Sequence, residues 1–107
     1  MKRKRSLETI DFRRLQKCLG ALSDPTRQKM VSLLARERLN VKQLTERLSL
    51  SQPAISHHLK ILMNAGILHQ ERVGRERLYR LDTTCCEGLA DEFRSFITQC
   101  CASARCC

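Results

Sequence analysis

The chain has 107 residues, 20 of them Lys or Arg against 11 Asp or Glu, for a formal net charge of +9. That length suits one domain with one modest core, and that charge points to an anionic partner. Tryptophan is absent and only one Tyr and three Phe occur, so the core must be built from Leu, Ile, Val and Met.

Residues 1–6 (MKRKRS) form a basic arm expected to be disordered. No apolar run of signal-peptide length follows it and no membrane-spanning stretch occurs, so the expectation is a cytoplasmic chain with no membrane partner. Residues 7–20 place Leu15, Cys18 and Leu19 at helical spacing, with Ile10 before and Leu22 just after, which predicts a first amphipathic helix. Ser23-Asp24-Pro25 is a helix start, a capping oxygen followed by a proline whose missing N–H is no loss. Met30, Leu33 and Leu34 stripe that second helix to about Arg36. A third helix opens at Asn40, with Gln43 as its capping-box partner. After the turn LSLS, Ser51 caps a fourth helix with Pro53 in its first turn, and Gly66 ends it.

Beyond Ile67 the period shortens to that of strands. ILHQERV and ERLYRL read as a hairpin about Gly74. A last helix is expected from about Thr84 to Gln99, striped by Leu89, Phe93, Phe96 and Ile97 and extended by Cys86 and Cys100. The fold class is therefore mainly α with a small β-hairpin, a winged helix-turn-helix spanning 7–99 and followed by a cysteine-rich tail, 100–107.

The fourth helix turns Ile55, Leu59, Leu62, Ala54, Ile61 and Ala65 to one side. Gln52, Ser56, His57 and Lys60 fall outside that arc, with Asn64, and no acid is among them. Short hydrogen-bonding side chains with one cation suit base edges and phosphates of a major groove. His58 falls toward the apolar arc, as a packed histidine bonded to nearby backbone. On the hairpin, Arg75 and Arg77 are the candidates for phosphate or minor-groove contact, with Arg72 and Arg80 secondary and Glu71 and Glu76 as partial neutralisers.

Seven cysteines remain, six in adjacent pairs. An odd count in pairs is poor material for a disulfide framework, and thiols stay reduced in a cytosol, so they read as ligands or redox groups. Cys100, Cys101, Cys106 and Cys107 crowd the last eight residues. Soft thiolates favour soft ions. Three convergent sulfurs suit pyramidal As(III) or Sb(III), with Ala102, Ser103 and Ala104 small enough for a return loop. Four would also suit Zn(II) or Cd(II). Cys85 and Cys86 are open between packing at a helix N-terminus, with a thiol acidified there, a meeting with Cys100 across a dimer of antiparallel last helices, and a separate site; Cys18 is expected in the core. No organic cofactor is implied. Enzymatic arsenate reduction would want Cys, five residues, then Arg; only four residues separate Cys100 from Arg105, so no catalytic residues are assigned.

The segments ALSDPTRQKMVSLL, LSQPAISHHLKILMNAGIL and ERVGRERLYRL resemble, in that order, the second helix, recognition helix and wing of the ArsR/SmtB family of bacterial repressors. The resemblance implies a homodimer joined through first and last helices, bound to an inverted-repeat operator in double-stranded DNA. It also implies release when a metal or metalloid ion binds, derepressing resistance genes. In RLNVKQL, Asn40 and Lys42 stand where many arsenic-sensing relatives carry cysteines, and the last helix has Asp91 but no histidine for a zinc-type site. Cys100, Cys101 and Cys107 are similar in spacing to the terminal arsenite site of some members, with Cys106 as substitute or fourth ligand. The expected inducer is therefore As(III) or Sb(III). Rival expectations are a thiol-redox or Cd/Pb/Zn-responsive repressor of the same fold, and a metal-buffering thiol protein.

Overall fold

The computed structural model describes residues 11–105. The basic arm 1–6, the proposed start of the first helix and Cys106 and Cys107 lie outside them. Five helices and one hairpin follow in order: α1 Phe12–Leu22, α2 Pro25–Leu34, α3 Val41–Leu48, α4 Gln52–Asn64, β1 Leu68–Val73, β2 Glu76–Leu81 and α5 Thr83–Arg105.

Each start is fixed by a side-chain oxygen on an orphan N–H. Asp11 accepts from Arg14 at the head of α1, which opens at Phe12 and runs on to Leu22, past the end expected at residue 20. Asp24 accepts from Arg27 ahead of Pro25, and α2 ends at Leu34, slightly short of Arg36. Asn40 and Gln43 form the complete capping box of α3. Ser51 accepts from Ala54 at the head of α4. Ser49, at φ 53°, makes the tight corner between α3 and α4 in the left-handed region. Gly66, at φ 77°, turns the chain out of α4 into the hairpin.

The strands pair antiparallel with Val73 opposite Glu76, leaving Gly74-Arg75 as a two-residue loop. Gly74 has φ 63° and Arg75 does not share the positive φ, the pattern of a type II′ turn. A bridge between Leu39 and Tyr79 fastens this wing to the entry of α3. Met30, Leu44, Ile55, Leu62 and Ile67 are fully buried at the centre, with Leu15, Cys18, Leu59, Leu68 and Leu89 around them. Each helix therefore contributes its apolar stripe to one core, and truncating Leu44 or Ile55 to Ala would cost about 2–5 kcal/mol.

The last helix departs from expectation twice. It continues to Arg105 instead of stopping at Gln99, so Ala102, Ser103 and Ala104 are helical and not a return loop. Alanine is the best helix former, and Arg105 sits in the final turn where a cation complements the helix dipole. Its stripe also divides. Leu89 and Glu92 are buried, whereas Phe93 and Ile97 stay about 40% exposed, as do Phe12 and Leu19 on α1. Phe96 meets Phe12 edge-on, ring centroids 5.4 Å apart. The burial of Glu92 was not foreseen from sequence.

Candidate nucleic-acid interface and thiol clusters

In α4, Ile55, Leu59 and Leu62 are buried and Gln52, Ser56, His57, Lys60 and Asn64 are exposed. The polar face anticipated from helical spacing is thus a solvent face carrying donors, acceptors and a cation without a carboxylate. His58 is half-buried, and its partner is a side chain rather than backbone. Nη1 of Arg27 lies 3.3 Å from its Nδ1. Arginine only donates, so Nδ1 is the accepting atom of this contact.

The hairpin sorts its charges. Glu71 accepts from Arg38 and lies 3.9 Å from Arg80, so this acid is shared between two cations on the surface. The Arg38 hydrogen bond, followed by the surrounding positive charge, holds the Glu71 carboxyl below the usual carboxylate range. Glu76 accepts from Nδ2 of Asn40 at 3.2 Å, tying the wing to the cap of α3. Arg72, Arg75 and Arg77 are exposed and make no ion pair within the described residues. Arg72 and Arg77 stand directly opposite in the register, a like-charge pair that destabilises the free hairpin and favours a polyanion beside it. Arg80, half engaged with Glu71, is set back from this group.

The thiols fall into two groups at opposite ends of α5. Cys100 and Cys101 are adjacent and exposed near its C-terminus. Successive residues on a helix diverge by about 100°, so two neighbours alone do not converge on one ion. Among the described residues no three potential ligands gather about a point, and Cys106 and Cys107 lie outside those residues. The other group is at the head of the helix. Cys85 and Cys86 follow Asp82, whose Oδ1 accepts the Cys85 N–H and whose carbonyl accepts the Cys86 N–H, both at 3.0 Å.

Cys18, 1% exposed as a core residue should be, joins this second group from α1. Its Sγ donates to the Ala65 carbonyl at 3.1 Å, and the Cys86 Sγ points to the Ile67 carbonyl at 3.6 Å. Cys85 accepts from Arg14 instead, Nη2 standing 3.4 Å from its Sγ and 3.2 Å from its carbonyl oxygen. Burial pushes the Cys18 and Cys86 thiols up, reinforced in each by the nearby Cys85. The partnership of Arg14 and Cys85, 71 residues apart, has no signature in the sequence.

Comparison with known proteins agrees with this arrangement. Residues 24–70, from the cap of α2 into β1, match the model of the bacterial regulatory protein, arsR family. The transcriptional repressor SdpR of Bacillus subtilis is 35% identical over 79 residues, covering 74% of this chain and 88% of that one. The arsenical resistance operon repressor of Staphylococcus xylosus is 30% identical over 90 residues, covering 84% and 79%. An ArsR-like transcriptional regulator from Rhodococcus sp. RHA1 superposes with a TM-score of 0.82 at 27% identity, covering 89% of this chain and 90% of that one. With the helix order, the open polar face of α4 and the arginine wing in place, this chain belongs to the ArsR family and is a winged-helix transcriptional repressor.

Proposed function

We propose that this repressor is a homodimer on an inverted-repeat operator, and that it lets go when trivalent arsenic or antimony binds Cys100, Cys101 and Cys107, with Cys106 as substitute or fourth ligand. Gln52, Ser56 and His57 read base edges in the major groove, while Lys60, Arg75 and Arg77 hold phosphates or the minor groove. Two recognition helices would enter grooves about 34 Å apart on one face of the duplex.

The observation that carries the inducer reading is the placement of Cys100 and Cys101. They are exposed and adjacent on the helix that leaves Phe93 and Ile97 open, as α1 leaves Phe12 and Leu19. That apolar face supports pairing of two copies through α1 and α5, which puts the thiols at the edge of the dimer contact. The thiol set suits a soft trivalent ion, and the name of the Staphylococcus xylosus relative supports an arsenical response.

Along an unbroken helix Cys100 and Cys107 would be separated by a rise of about 10 Å. Three sulfurs meet only if residues 101–105 leave the helix, so ligation competes with the last turn of α5. Unwinding there alters the dimer contact, and a coupling of about 3 kcal/mol would weaken DNA binding about 150-fold.

The test uses a duplex selected from a random pool with the reduced, arsenite-free protein. Arsenite should release it in fluorescence anisotropy and lower the far-UV helical signal by about a turn. Replacing Cys100, Cys101, Cys106 and Cys107 with Ser should leave DNA affinity intact and abolish release. Normal release from that variant overturns the assignment.

A further inference from the structure

Three sulfurs from two helices surround one short stretch of backbone, Ala65-Gly66-Ile67, the joint between the recognition helix and the wing. Cys18 holds the Ala65 carbonyl and Cys86 the Ile67 carbonyl. Cys85 fills the space between. A Cβ added to Gly66 would stand only 2.9 Å from its Sγ. The joint is therefore packed against sulfur on both sides of a glycine already at positive φ.

Of the three, only Cys85 has a cation on its sulfur. Arg14 donates to it from α1 and is itself seated beside Gly88, one turn along α5. Cys18 and Cys86 are kept as neutral thiols by burial and spend their S–H groups on carbonyls. The Arg14 guanidinium therefore stands where it can hold negative charge on this sulfur and on the group that reacts with it.

We propose that Cys85 is a site of reversible oxidation by hydrogen peroxide, a second control point independent of the terminal thiols. The thiolate attacks one peroxide oxygen, an S–O bond forms as the O–O bond breaks, and sulfur gives up two electrons. The departing hydroxide takes up the proton that the thiol had lost and leaves as water, and Cys85 becomes a sulfenic acid. Peroxide fits because the sulfur is half-buried against Gly66, where only a small oxidant reaches it. Arg14 is the positioning residue, donating first to sulfur and then to the new oxygen. The enlarged, polar side chain no longer packs against Gly66. The grip of Cys18 and Cys86 on either side loosens, and the angle between recognition helix and wing is lost.

This goes beyond metalloid release and is tested in its absence, on full-length protein with Ser at positions 100, 101, 106 and 107. Peroxide followed by a dimedone-type trap and peptide mass analysis should label Cys85 and not Cys18 or Cys86. Affinity for the selected duplex should fall at least tenfold and return on adding dithiothreitol. Cys85→Ser in that background should bind DNA normally and ignore peroxide. Arg14→Gln should slow labelling about tenfold, and Arg14→Lys should recover most of the rate, which a purely structural role for Arg14 would not produce. Labelling at another cysteine, or full labelling of Cys85 with unchanged DNA affinity, overturns the proposal.

Discussion

Arg27 of α2 reaches His58 of α4, Nη1 to Nδ1 at 3.3 Å, while its Nε donates to the Ala21 carbonyl at 2.6 Å. One side chain thus closes the C-terminal end of α1 and braces the buried side of the recognition helix. Arg27→Ala strands a partly buried carbonyl and an imidazole nitrogen, and should cost about 1–3 kcal/mol in urea unfolding. Arg27→Lys keeps the charge without the fork and should recover less than half of that. A loss below a few tenths of a kcal/mol would mean the brace is idle.

DNA contacts should separate by kind. Lys60→Ala, Arg75→Ala and Arg77→Ala should each weaken binding to every duplex alike and reduce the slope of log K against log salt by about 1. Gln52→Ala and His57→Ala should instead relax sequence preference, by about 1–3 kcal/mol at the base concerned. Arg80→Ala should change little, because Glu71 already holds that guanidinium back. An Arg80 effect as large as that of Arg77 would contradict the sorting of charges seen in the wing.

The Glu71–Arg38 contact predicts a particular acid response. Its folded carboxyl titrates below the ordinary value, chiefly through the Arg38 hydrogen bond. The contact therefore stabilises the fold above the unfolded pKa of about 4.3 and fades as pH falls through the lower folded value. Glu71→Gln should lower Tm relative to the parent at pH 7, and the gap should close by about pH 3. A gap that persists at the acid end would show that charge is not its source.

Gly66→Ala places a methyl against Cys85 Sγ in a backbone conformation that resists any Cβ. The cost should be about 1–3 kcal/mol, and Cys85→Ala in the same chain should restore part of it. Additive losses in that double-mutant cycle would place the strain entirely in the backbone.

Element identity was readable because several starts and stops between residues 23 and 81 carry a local chemical mark: Asp24-Pro25, Asn40 with Gln43, Ser51 with Pro53, Gly66 and Gly74. The polar face of α4 followed from spacing alone, since helical geometry decides it. Where no local mark exists, expectation drifted. Nothing between Gln99 and Arg105 opposes a helix, yet the dense cysteines suggested a loop. Glu92 lies within an apolar stripe, but its burial depends on α1 packing across it. The engagement of Glu71 and Glu76 depends on Arg38 and Asn40, more than thirty residues away. Long-range partnerships of this kind, Arg14 with Cys85 and Phe12 with Phe96 among them, are products of the completed fold.

The uninterrupted α5 separates its two sulfur clusters by about 22 Å of rigid rod, Cys85 at one end and Cys100 at the other. Such a rod behaves as a lever arm: a tilt of about 5° at one end sweeps the other through about 2 Å, the size of helix displacements that switch subunit contacts. A displacement imposed at one extremity would reach the other without any wire of side chains between them.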